Sequence, residues 1–324
     1  MFFGAFMCSL SVVLIVVNER DIASVNQAEA LMCMDAWAPL SPVEGHPAFS
    51  FLNARMWRLP NGLLFEDHVD RRWKEATGES VKEVIFPSRH AAASGQASLT
   101  LHPIGVPHLP LGKTGPYGGA GGATPPPNPR LARWWSMLLE RAPLDDSVQN
   151  FDLSLEVTHH GPTLDAPALF IEVGSTEATW GHKGAARLLA HIIRDGLFNE
   201  RYSGTWEEEK HTGQPVVITL GGGHYAPRAN QLGAKDGVWL GHMLASYALP
   251  FDDQSSPLAG GWSTAIDEAI RATKVAFPGG HVVASMDKKS FRGWQRQAIR
   301  DHLMDRNIPL LTTKGIEALL DEAP

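Results

Sequence analysis

The chain has 324 residues, of which 44% are hydrophobic, and it carries a formal net charge of −7 with a pI near 6.0. This composition supplies a core for one large or two ordinary domains. The acidic charge argues against nucleic-acid binding by bulk electrostatics, so any RNA contact must be confined to one face. The two cysteines, Cys8 and Cys33, are too few for a disulfide framework or a thiolate zinc knuckle, which favours a reducing compartment and a metal, if present, held by histidine and carboxylate.

The chain begins with an apolar segment that is open to two interpretations, a targeting sequence or a strand. Residues 1–17 lack the positive charges of a signal peptide and the arginines of a transit peptide. Residues 11–17 have the composition of a first buried strand, which leaves 1–10 as an extension or targeting remnant. We therefore predict a cytoplasmic protein without a membrane segment, while organelle targeting stays open.

The spacing of apolar residues predicts strands that alternate with helices along most of the chain. This order favours an α/β fold, with a largely parallel mixed sheet flanked by helices in a single domain over 1–324. An Asn-Gly pair within Pro60-Asn61-Gly62 predicts a hairpin. Further strands are predicted over 81–86, 97–101, 151–157, 168–173, 215–220, 281–285 and 308–311, and helices over 21–34, 67–77, 129–141, 236–249, 263–273 and 293–306 and through 188–193.

Residues 105–129 differ from the rest of the chain in their glycine and proline content. The sequence GKTGPYGGAGGATPPPNP is too rich in these residues to pack, so a mobile insert is expected. Its Gly-Lys-Thr lacks the G-x-x-x-x-G-K-[ST] spacing of a phosphate loop. We predict neither a nucleotide loop nor a dinucleotide cofactor.

Two predicted strands within residues 151–180 carry polar chemistry at or near their ends. The first leads into His159 and His160, which a Gly-Pro turn follows. The second is apolar except for Glu172, a carboxylate that needs a partner if the strand is buried. The unit is therefore strand, His-His loop, strand and helix.

Several other predicted strands also end in residues that a catalytic site would use. Ligands of open α/β sheets bind beyond the carboxyl ends of the strands, so these side chains are expected to meet there. Glycines before His224 allow a close approach of the backbone to a ligand. The candidates are His90, His159, His160, Glu172, Ser175, Gly222, Gly223, His224, Tyr225, Asp287 and Lys289.

Imidazoles and carboxylates without thiolates suit a catalytic zinc ion, which lowers the pKa of bound water from about 15.7 to about 7. His160 and His224 are the favoured ligands, because neighbouring residues of an extended chain point to opposite faces and only one of His159 and His160 would then reach the centre. Each isolated histidine is alternatively a hydrogen-bonded loop residue. Glu172 is a ligand, a general base or a structural carboxylate.

A basic segment follows the last predicted buried strand. Lys289 and Arg292 would hold a phosphate or an oxyanion, or would form a solvated loop. Arginines repeat every four residues at Arg292, Arg296 and Arg300, so they line one face of a helix. This face could follow an RNA backbone, or it could simply be exposed to solvent. The chain has no Gly-x-Ser-x-Gly elbow and no evident Cys–His pair, which argues against a serine or thiol hydrolase.

Five motifs occur in order along the chain: SRH at 88–90, THHGPT at 158–163, FIEVGSTEATW at 170–180, GGGHYAPR at 221–228 and DKKSFRG at 287–293. Together they resemble the archaeal and plant type of D-aminoacyl-tRNA deacylase. The resemblance implies hydrolysis of the ester between a D-amino acid and the terminal ribose of tRNA, with zinc and a fold similar to the phosphorylase/hydrolase-like α/β group. It also implies chiral proofreading in translation, including clearance of aldehyde-modified D-aminoacyl-tRNA.

On the matching positions, the resemblance implies a site made of His90, His159, His160, Glu172, His224, Asp287 and Lys289. The individual roles are our inference: zinc held by His160 and His224 activates water, and Glu172 or His90 assists. Lys289 or the amides of the glycine turn would stabilise the oxyanion. The insert and Phe291 look like departures from the family pattern, which concern contacts with tRNA more than the chemistry.

Two other classes of function stay open on the sequence alone. A metal-dependent amidase or carboxypeptidase-like hydrolase would act on a small substrate and be indifferent to RNA. A non-catalytic tRNA-binding protein would retain tRNA without releasing an amino acid. Within the deacylase interpretation, backbone and RNA hydroxyl groups could carry the chemistry while zinc is structural, and no oligomeric state is predicted.

Overall fold

The computed structural model describes residues 11–252 and 260–322. In this part of the chain the strands are β1 (Ser11–Asn18), β2 (Ala38–Pro39), β3 (Ala48–Phe51), β4 (Ala54–Leu59), β5 (Ser80–Ala91), β6 (Ser98–His102), β7 (Asp152–Leu155), β8 (Ala168–Ser175), β9 (Pro215–Leu220), β10 (Trp239–Leu244) and β11 (His281–Met286). The α-helices are α1 (Ile22–Met34), α2 (Val69–Thr77), α3 (Leu131–Arg141), α4 (Glu177–Trp180), α5 (Lys183–Phe198), α6 (Glu208–His211), α7 (Pro227–Gly233), α8 (Trp262–Ala276), α9 (Gly293–Asp305) and α10 (Thr313–Glu322). Short 3-10 turns lie at Leu63–Phe65, Ala142–Leu144, Asp146–Val148, Ser246–Ala248 and Lys288–Ser290.

The strands form two sheets flanked by helices, which confirms the predicted mixed α/β fold. The larger sheet has the order β2-β3-β4-β1-β5-β8-β6-β7, and the smaller has the order β10-β9-β11. Neighbours are parallel from β4 through β1 and β5 to β8, whereas β6 runs antiparallel to β8 and parallel to β7. All pairs in the smaller sheet are parallel.

Strand β1 lies at the centre of the larger sheet and is buried on both faces. Val13, Ile15 and Val17 belong to one hydrophobic core, which α1, α3 and α5 cover. Leu14 and Val16 belong to the core on the opposite face, together with Phe86 of β5 and Phe170 of β8. A strand buried on both faces needs a continuous apolar run, and residues 12–17, VVLIVV, provide it.

The segment after β7 joins the two sheets. Val157 N donates a hydrogen bond to His224 O (2.9 Å), and Thr158 N donates to Met243 O of β10 (2.7 Å). The backbone that leads to His159 and His160 is therefore held between the larger sheet and the loops of the smaller one.

The predicted hairpin around Pro60-Asn61-Gly62 is wrong. Gly62 has φ −70°, whereas a two-residue hairpin turn of the Asn-Gly type needs positive φ. The chain instead enters the short 3-10 turn Leu63–Phe65. The hairpin in this region joins β3 to β4, and its turn includes Leu52 at φ 49°.

The predicted helix over 236–249 is also wrong, because its centre is the buried strand β10. Residues 236–249 have apolar residues at helical spacing, but the six central residues form a short run that fits a buried strand as well as a buried helix. Gly241 faces α8 so closely that a Cβ there would lie 2.6 Å from the Thr273 side chain. At the end of the chain, residues 308–311 make a single bridge, Leu310 to Ala284, and not a strand.

The Gly/Pro-rich segment 105–129 contains no helix or strand, but much of it packs. Thr124 N donates to Glu268 Oε1 (2.9 Å), and Asn128 Nδ2 donates to the buried Glu83 (3.1 Å). Residues 124–129 are buried. The expectation that this segment would not pack is therefore wrong for its second half, and its mobility stays a prediction.

The predicted N-terminal extension, residues 1–10, lies outside the described residues. The predicted first strand is confirmed as β1. Among the helices in the described part of the chain, none has the length and hydropathy that crossing a bilayer requires.

Candidate active site

Five histidines and two glutamates lie together where the two sheets meet, and we refer to them as the histidine cluster. A cavity of about 500 Å³ opens beside them, with His90, His159, His160, Glu172 and His224 in its wall. Sequence analysis had singled out these five residues, and the structure brings them together. The complete cluster is His90, His102, Glu156, His159, His160, Glu172 and His224.

Part of the cluster is built on one face of the larger sheet. Ser88 of β5 and Thr100 of β6 are both register partners of Glu172 on β8. His90 pairs with Gly174, and His102 pairs with Phe170. Since paired residues share a face, these side chains project from the same side, and the predicted location beyond the strand ends is corrected to the sheet face.

Gly174 makes room for His90 on this face. A Cβ at position 174 would lie 2.9 Å from His90 Cδ2 and 2.4 Å from Ser98 Oγ. Any side chain here would therefore displace the imidazole.

Glu156 lies at the centre of the cluster and is fully buried. Its Oε1 is 3.1 Å from His90 Nδ1, and its Oε2 is 2.9 Å from His224 Nε2 and 3.4 Å from His159 Nε2. Burial raises the pKa of Glu156, but the contact with His224 and the charges of the surrounding histidines outweigh it, and the pKa falls below its usual value. Glu156 is therefore a carboxylate at neutral pH.

Glu172 is the second buried carboxylate of the cluster. Ser88 Oγ donates a short hydrogen bond to Glu172 Oε1. The other oxygen, Oε2, lies 3.4 Å from His102 Nε2 and 3.7 Å from His90 Nδ1. Burial lowers the pKa of His102, but contact with Glu172 has the larger combined effect and raises that pKa above its usual value.

Two imidazoles are oriented so that a ring nitrogen with a lone pair faces a carboxylate oxygen. His102 Nδ1 lies 3.0 Å from Pro103 O and His159 Nδ1 lies 2.7 Å from Val157 O, so each Nδ1 carries the hydrogen in the neutral ring. Each Nε2 then presents a lone pair to a carboxylate oxygen, and both carboxylates keep an oxygen without a hydrogen bond from residues 11–252 or 260–322. Two acceptors at this distance require a proton or a cation between them.

His159 and His160 both reach the cluster, which corrects the expectation that only one would. Their rings lie 4.0 Å apart. The chain is not extended here, because His160 has φ 32° and Gly161 has φ 93°. Burial and the charges of neighbouring histidines hold the pKa of both imidazoles well below the usual value, so both are neutral.

A glycine turn after β9 delivers His224. Gly221 and Gly222 have φ values of 91° and 86°, which an L side chain rarely adopts. Gly222 N donates to Ser290 Oγ (2.7 Å), and that hydroxyl donates to Asp287 Oδ2 (3.0 Å). Asp287 therefore supports the turn through Ser290, although it does not line the cavity.

The structure places the other predicted basic residues away from the cavity. Lys289 and Arg292 are exposed. Arg296 Nη1 donates to Lys288 O (3.1 Å) and Phe291 O (2.7 Å), so its guanidinium stabilises the start of α9. These positions do not support the predicted contact of Lys289 with an oxyanion.

The predicted substrate residues fall into two groups. Tyr225 is 38% exposed, and its hydroxyl lies 3.3 Å from His90 Nε2. Ser175 is buried and donates to Gln96 O (2.7 Å), so it supports the backbone beside β6. Gly222 and Gly223 shape the turn and are not part of the cavity wall.

Sequence reasoning missed Glu156 and His102. Glu156 alternates with Leu155 and Val157, which placed it on the presumed polar face of a half-buried strand. The sequence feature that could have indicated Glu156 is its position three residues before His159. His102 ends a predicted strand, as the other candidates do, but was not included among them.

The cluster contains three groups of possible metal ligands. In each group the ligand atoms lie within 4.8 Å of one another. The groups are His102, His159 and His160; His90, Glu156 and His224; and His102, Glu156 and Glu172. Neutral imidazoles and carboxylates are suitable ligands for zinc.

Comparison with known proteins finds a family model and relatives that carry the same description. A family model described as D-aminoacyl-tRNA deacylase matches residues 77–311. The chain is 41% identical over 310 residues to the D-aminoacyl-tRNA deacylase of Arabidopsis thaliana, covering 92% of this chain and 97% of that protein. It is 27% identical over 312 residues to the D-aminoacyl-tRNA deacylase of Methanosarcina acetivorans, covering 94% of each. A crystal structure titled as a conserved protein of unknown function has a TM-score of 0.76 at 21% identity and covers 95% of this chain and 97% of its own, which shows a shared fold.

Proposed function

The chain belongs to the D-aminoacyl-tRNA deacylase family, and we propose that it hydrolyses the ester between a D-amino acid and the terminal ribose of tRNA. The observation that carries the proposal is the buried Glu156 carboxylate with three imidazole nitrogens within 3.4 Å, beside a cavity open to substrate. Such a set of groups can activate water and move protons without a covalent intermediate. The protein is thus a hydrolase of carboxylic esters that releases a free D-amino acid and tRNA.

We propose zinc as the cofactor of this site. His102 and His159 each donate Nδ1–H to a backbone carbonyl and direct Nε2 towards a carboxylate, which is how metal-ligating histidines are commonly oriented. Their lone pairs and the free carboxylate oxygens supply the buried acceptors that a cation would satisfy. His102, His159 and His160 form one set of ligands, and His90, Glu156 and His224 form another. Zinc, when bound, lowers the pKa of water and polarises a carbonyl.

The side chains around the cavity divide the remaining work of hydrolysis. Ser88 holds Glu172 by a hydrogen bond. Glu172 accepts a proton from the attacking water while the water oxygen forms a bond to the ester carbon. The bond from that carbon to the ribose oxygen then breaks, and the same proton passes to the ribose oxygen. Burial raises the pKa of the Tyr225 hydroxyl, which therefore stays protonated and can donate a hydrogen bond to the carbonyl oxygen as it becomes negative.

One assay separates the proposed activity from the two competing classes. Purified protein is incubated with D-tyrosyl-tRNA and with L-tyrosyl-tRNA, each with and without a chelator, and loss of the ester is followed. We expect turnover of the D ester alone and loss of activity on chelation that added zinc restores. Cleavage of free peptides or acyl amides would favour the small-substrate hydrolase, and retention of tRNA without amino-acid release would favour the binding protein.

The cellular setting follows from the same proposal. Removal of D-amino acids from tRNA is a proofreading step of translation quality control, and aldehyde-modified D-aminoacyl-tRNA carries the same ester. A cytoplasmic location is proposed because the two cysteines indicate a reducing compartment. Fractionation of cells that express the tagged full-length protein tests the location.

A further inference from the structure

Tyr117 is a large exposed side chain in the wall of the catalytic cavity. It belongs to the Gly/Pro-rich segment, and 65% of its surface is exposed. Within the described residues it has no ring contact and no side-chain hydrogen bond. An exposed aromatic ring at the wall of a cavity offers a flat apolar surface to a ligand.

The glycines around Tyr117 pack closely against neighbouring backbone atoms. A Cβ at Gly118 would lie 1.8 Å from Leu64 O, and one at Gly115 would lie 2.4 Å from Gly118 O. Gly118 N donates to Gly115 O (3.1 Å) and Gly115 N donates to Gly119 O (3.0 Å), which closes a tight turn around the tyrosine. These contacts hold the turn on the rim near the 3-10 turn Leu63–Phe65.

The same turn is tied to the histidine cluster. Gly161 N, next to His160, donates a hydrogen bond to Tyr117 O (3.2 Å). The position of Tyr117 is therefore coupled to the backbone that carries two imidazoles. A ligand that lies on the ring would be at the rim of the cavity that these imidazoles line.

From this geometry we propose that Tyr117 is a stacking platform for the terminal nucleobase of the tRNA acceptor end. The proposal rests on the proposed ester hydrolysis: the ester carbonyl enters the cluster, the ribose follows it, and the base attached to that ribose lies at the cavity mouth. Proteins commonly hold unpaired bases by stacking on aromatic rings, without reading their sequence. The exposed ring gives this acidic chain a way to bind an acceptor end that does not depend on bulk positive charge.

A pair of small esters isolates the contribution of the base. The D-tyrosyl ester of adenosine and the D-tyrosyl ester of methyl riboside carry the same ester and ribose, and only the first carries a base. We expect wild-type protein to prefer the adenosine ester by about tenfold in kcat/KM, chiefly through KM, as is typical of one stacked base. Tyr117→Ala should reduce this preference to near one, and Tyr117→Phe should retain it because the ring is kept.

Two controls distinguish stacking from an effect on the fold. Leu111→Ala removes another exposed side chain of the same segment, 82% exposed and outside the cavity wall, and should keep the full preference. Adenosine should inhibit hydrolysis of full-length D-tyrosyl-tRNA, with an inhibition constant about tenfold higher for Tyr117→Ala.

Three outcomes would overturn the proposal. Equal losses on both esters would assign Tyr117 to the structure of the cavity, and an unchanged preference with unchanged inhibition by adenosine would place the base elsewhere. A changed preference among D-amino-acid side chains, with the base preference intact, would assign the ring to the amino acid. Failure of wild-type protein to cleave D-tyrosyl-tRNA at all would reject the proposed function itself and is recognised before any variant is compared.

Discussion

The histidine cluster and the segment 287–293 form an instructive pair, because the sequence places residues of both after predicted strands and suggests a catalytic role for both. In the segment, Asp287 accepts hydrogen bonds from Lys289 N and Ser290 Oγ, and Lys289 itself is exposed. In the cluster, Glu156 is buried, and neither of its oxygens has a hydrogen bond of good geometry to any residue that the structure describes. Position after a strand does not distinguish the two regions, whereas buried polar atoms without partners do.

The largest expected effect comes from removing the central charge of the cluster. Glu156→Gln should lower kcat on D-tyrosyl-tRNA on the order of a thousandfold, because it removes the negative charge around which three imidazoles are arranged, and it should lower the zinc content of purified protein. The matched loss of a charge in the segment, Lys289→Gln, should change kcat by less than about twofold, as expected of an exposed site. Full activity of Glu156→Gln, or a large loss in Lys289→Gln, would reverse the comparison.

A smaller effect should come from the contact between the two regions. Ser290→Ala leaves Gly222 N without its acceptor and loosens the turn that carries His224. One lost hydrogen bond of this kind costs about 1 kcal/mol, so we expect kcat/KM to fall by about fivefold, with less loss of zinc than in Glu156→Gln. Ser290→Thr keeps the hydroxyl and serves as the control. A Ser290→Ala variant as active as Lys289→Gln would mean that the segment does not support the turn.

The smallest effect on activity is expected at a buried histidine whose hydrogen bonds are all made, where the predicted change is in stability. Met243 N donates to Thr158 Oγ1, the hydroxyl of Thr158 donates to His242 Nδ1 (2.9 Å), and His242 Nε2 donates to Pro125 O (3.1 Å). Burial lowers the pKa of His242 to about 3. The ordinary value is about 6.5, so the unfolded chain binds more protons below that pH, and folded-state stability is lost as the pH falls towards 3.

The loss attributable to His242 should be about 2 kcal/mol between pH 6.5 and pH 5. Urea unfolding at both pH values measures it in the wild type and in His242→Gln, which cannot titrate. We expect the variant to be less stable at pH 6.5 but to lose less on acidification. An equal loss of unfolding free energy in the wild type and in His242→Gln would show that His242 does not have the lowered pKa that its burial implies.

Sequence patterns predicted an element correctly where a short apolar run ended in a turn. They failed where the structure depends on contacts between residues distant in sequence. Strand β9 has the predicted bounds, Pro215–Leu220, because its apolar run is short and a glycine turn ends it. The helical spacing of apolar residues over 236–249 predicts a helix where β10 lies, since a short apolar run fits both structures. The role of Gly241 is visible only in its close approach to Thr273.

The candidate site shows the same division. The histidines stood out because they follow strands, and five predicted residues do meet at one cavity. Glu156 was hidden because a polar position in an alternating strand normally faces water, and here the imidazoles of His90, His159 and His224 cover it. The turn at His160 depends on a backbone conformation that the pair His-His does not indicate, so the arrival of both imidazoles could not be predicted.

The pairing of Ser88 and Thr100 with Glu172 has a consequence for how this protein can change over evolution. A one-residue insertion or deletion within β5 or β8 would move the side chains of that strand to the opposite face of the sheet. A single change of this kind would therefore separate the residues of the histidine cluster. Loops carry no such constraint, and the long glycine-rich segment begins only a few residues after His102 without disturbing it. Length variation among homologous chains should therefore collect in the loops, while these strands keep a constant number of residues.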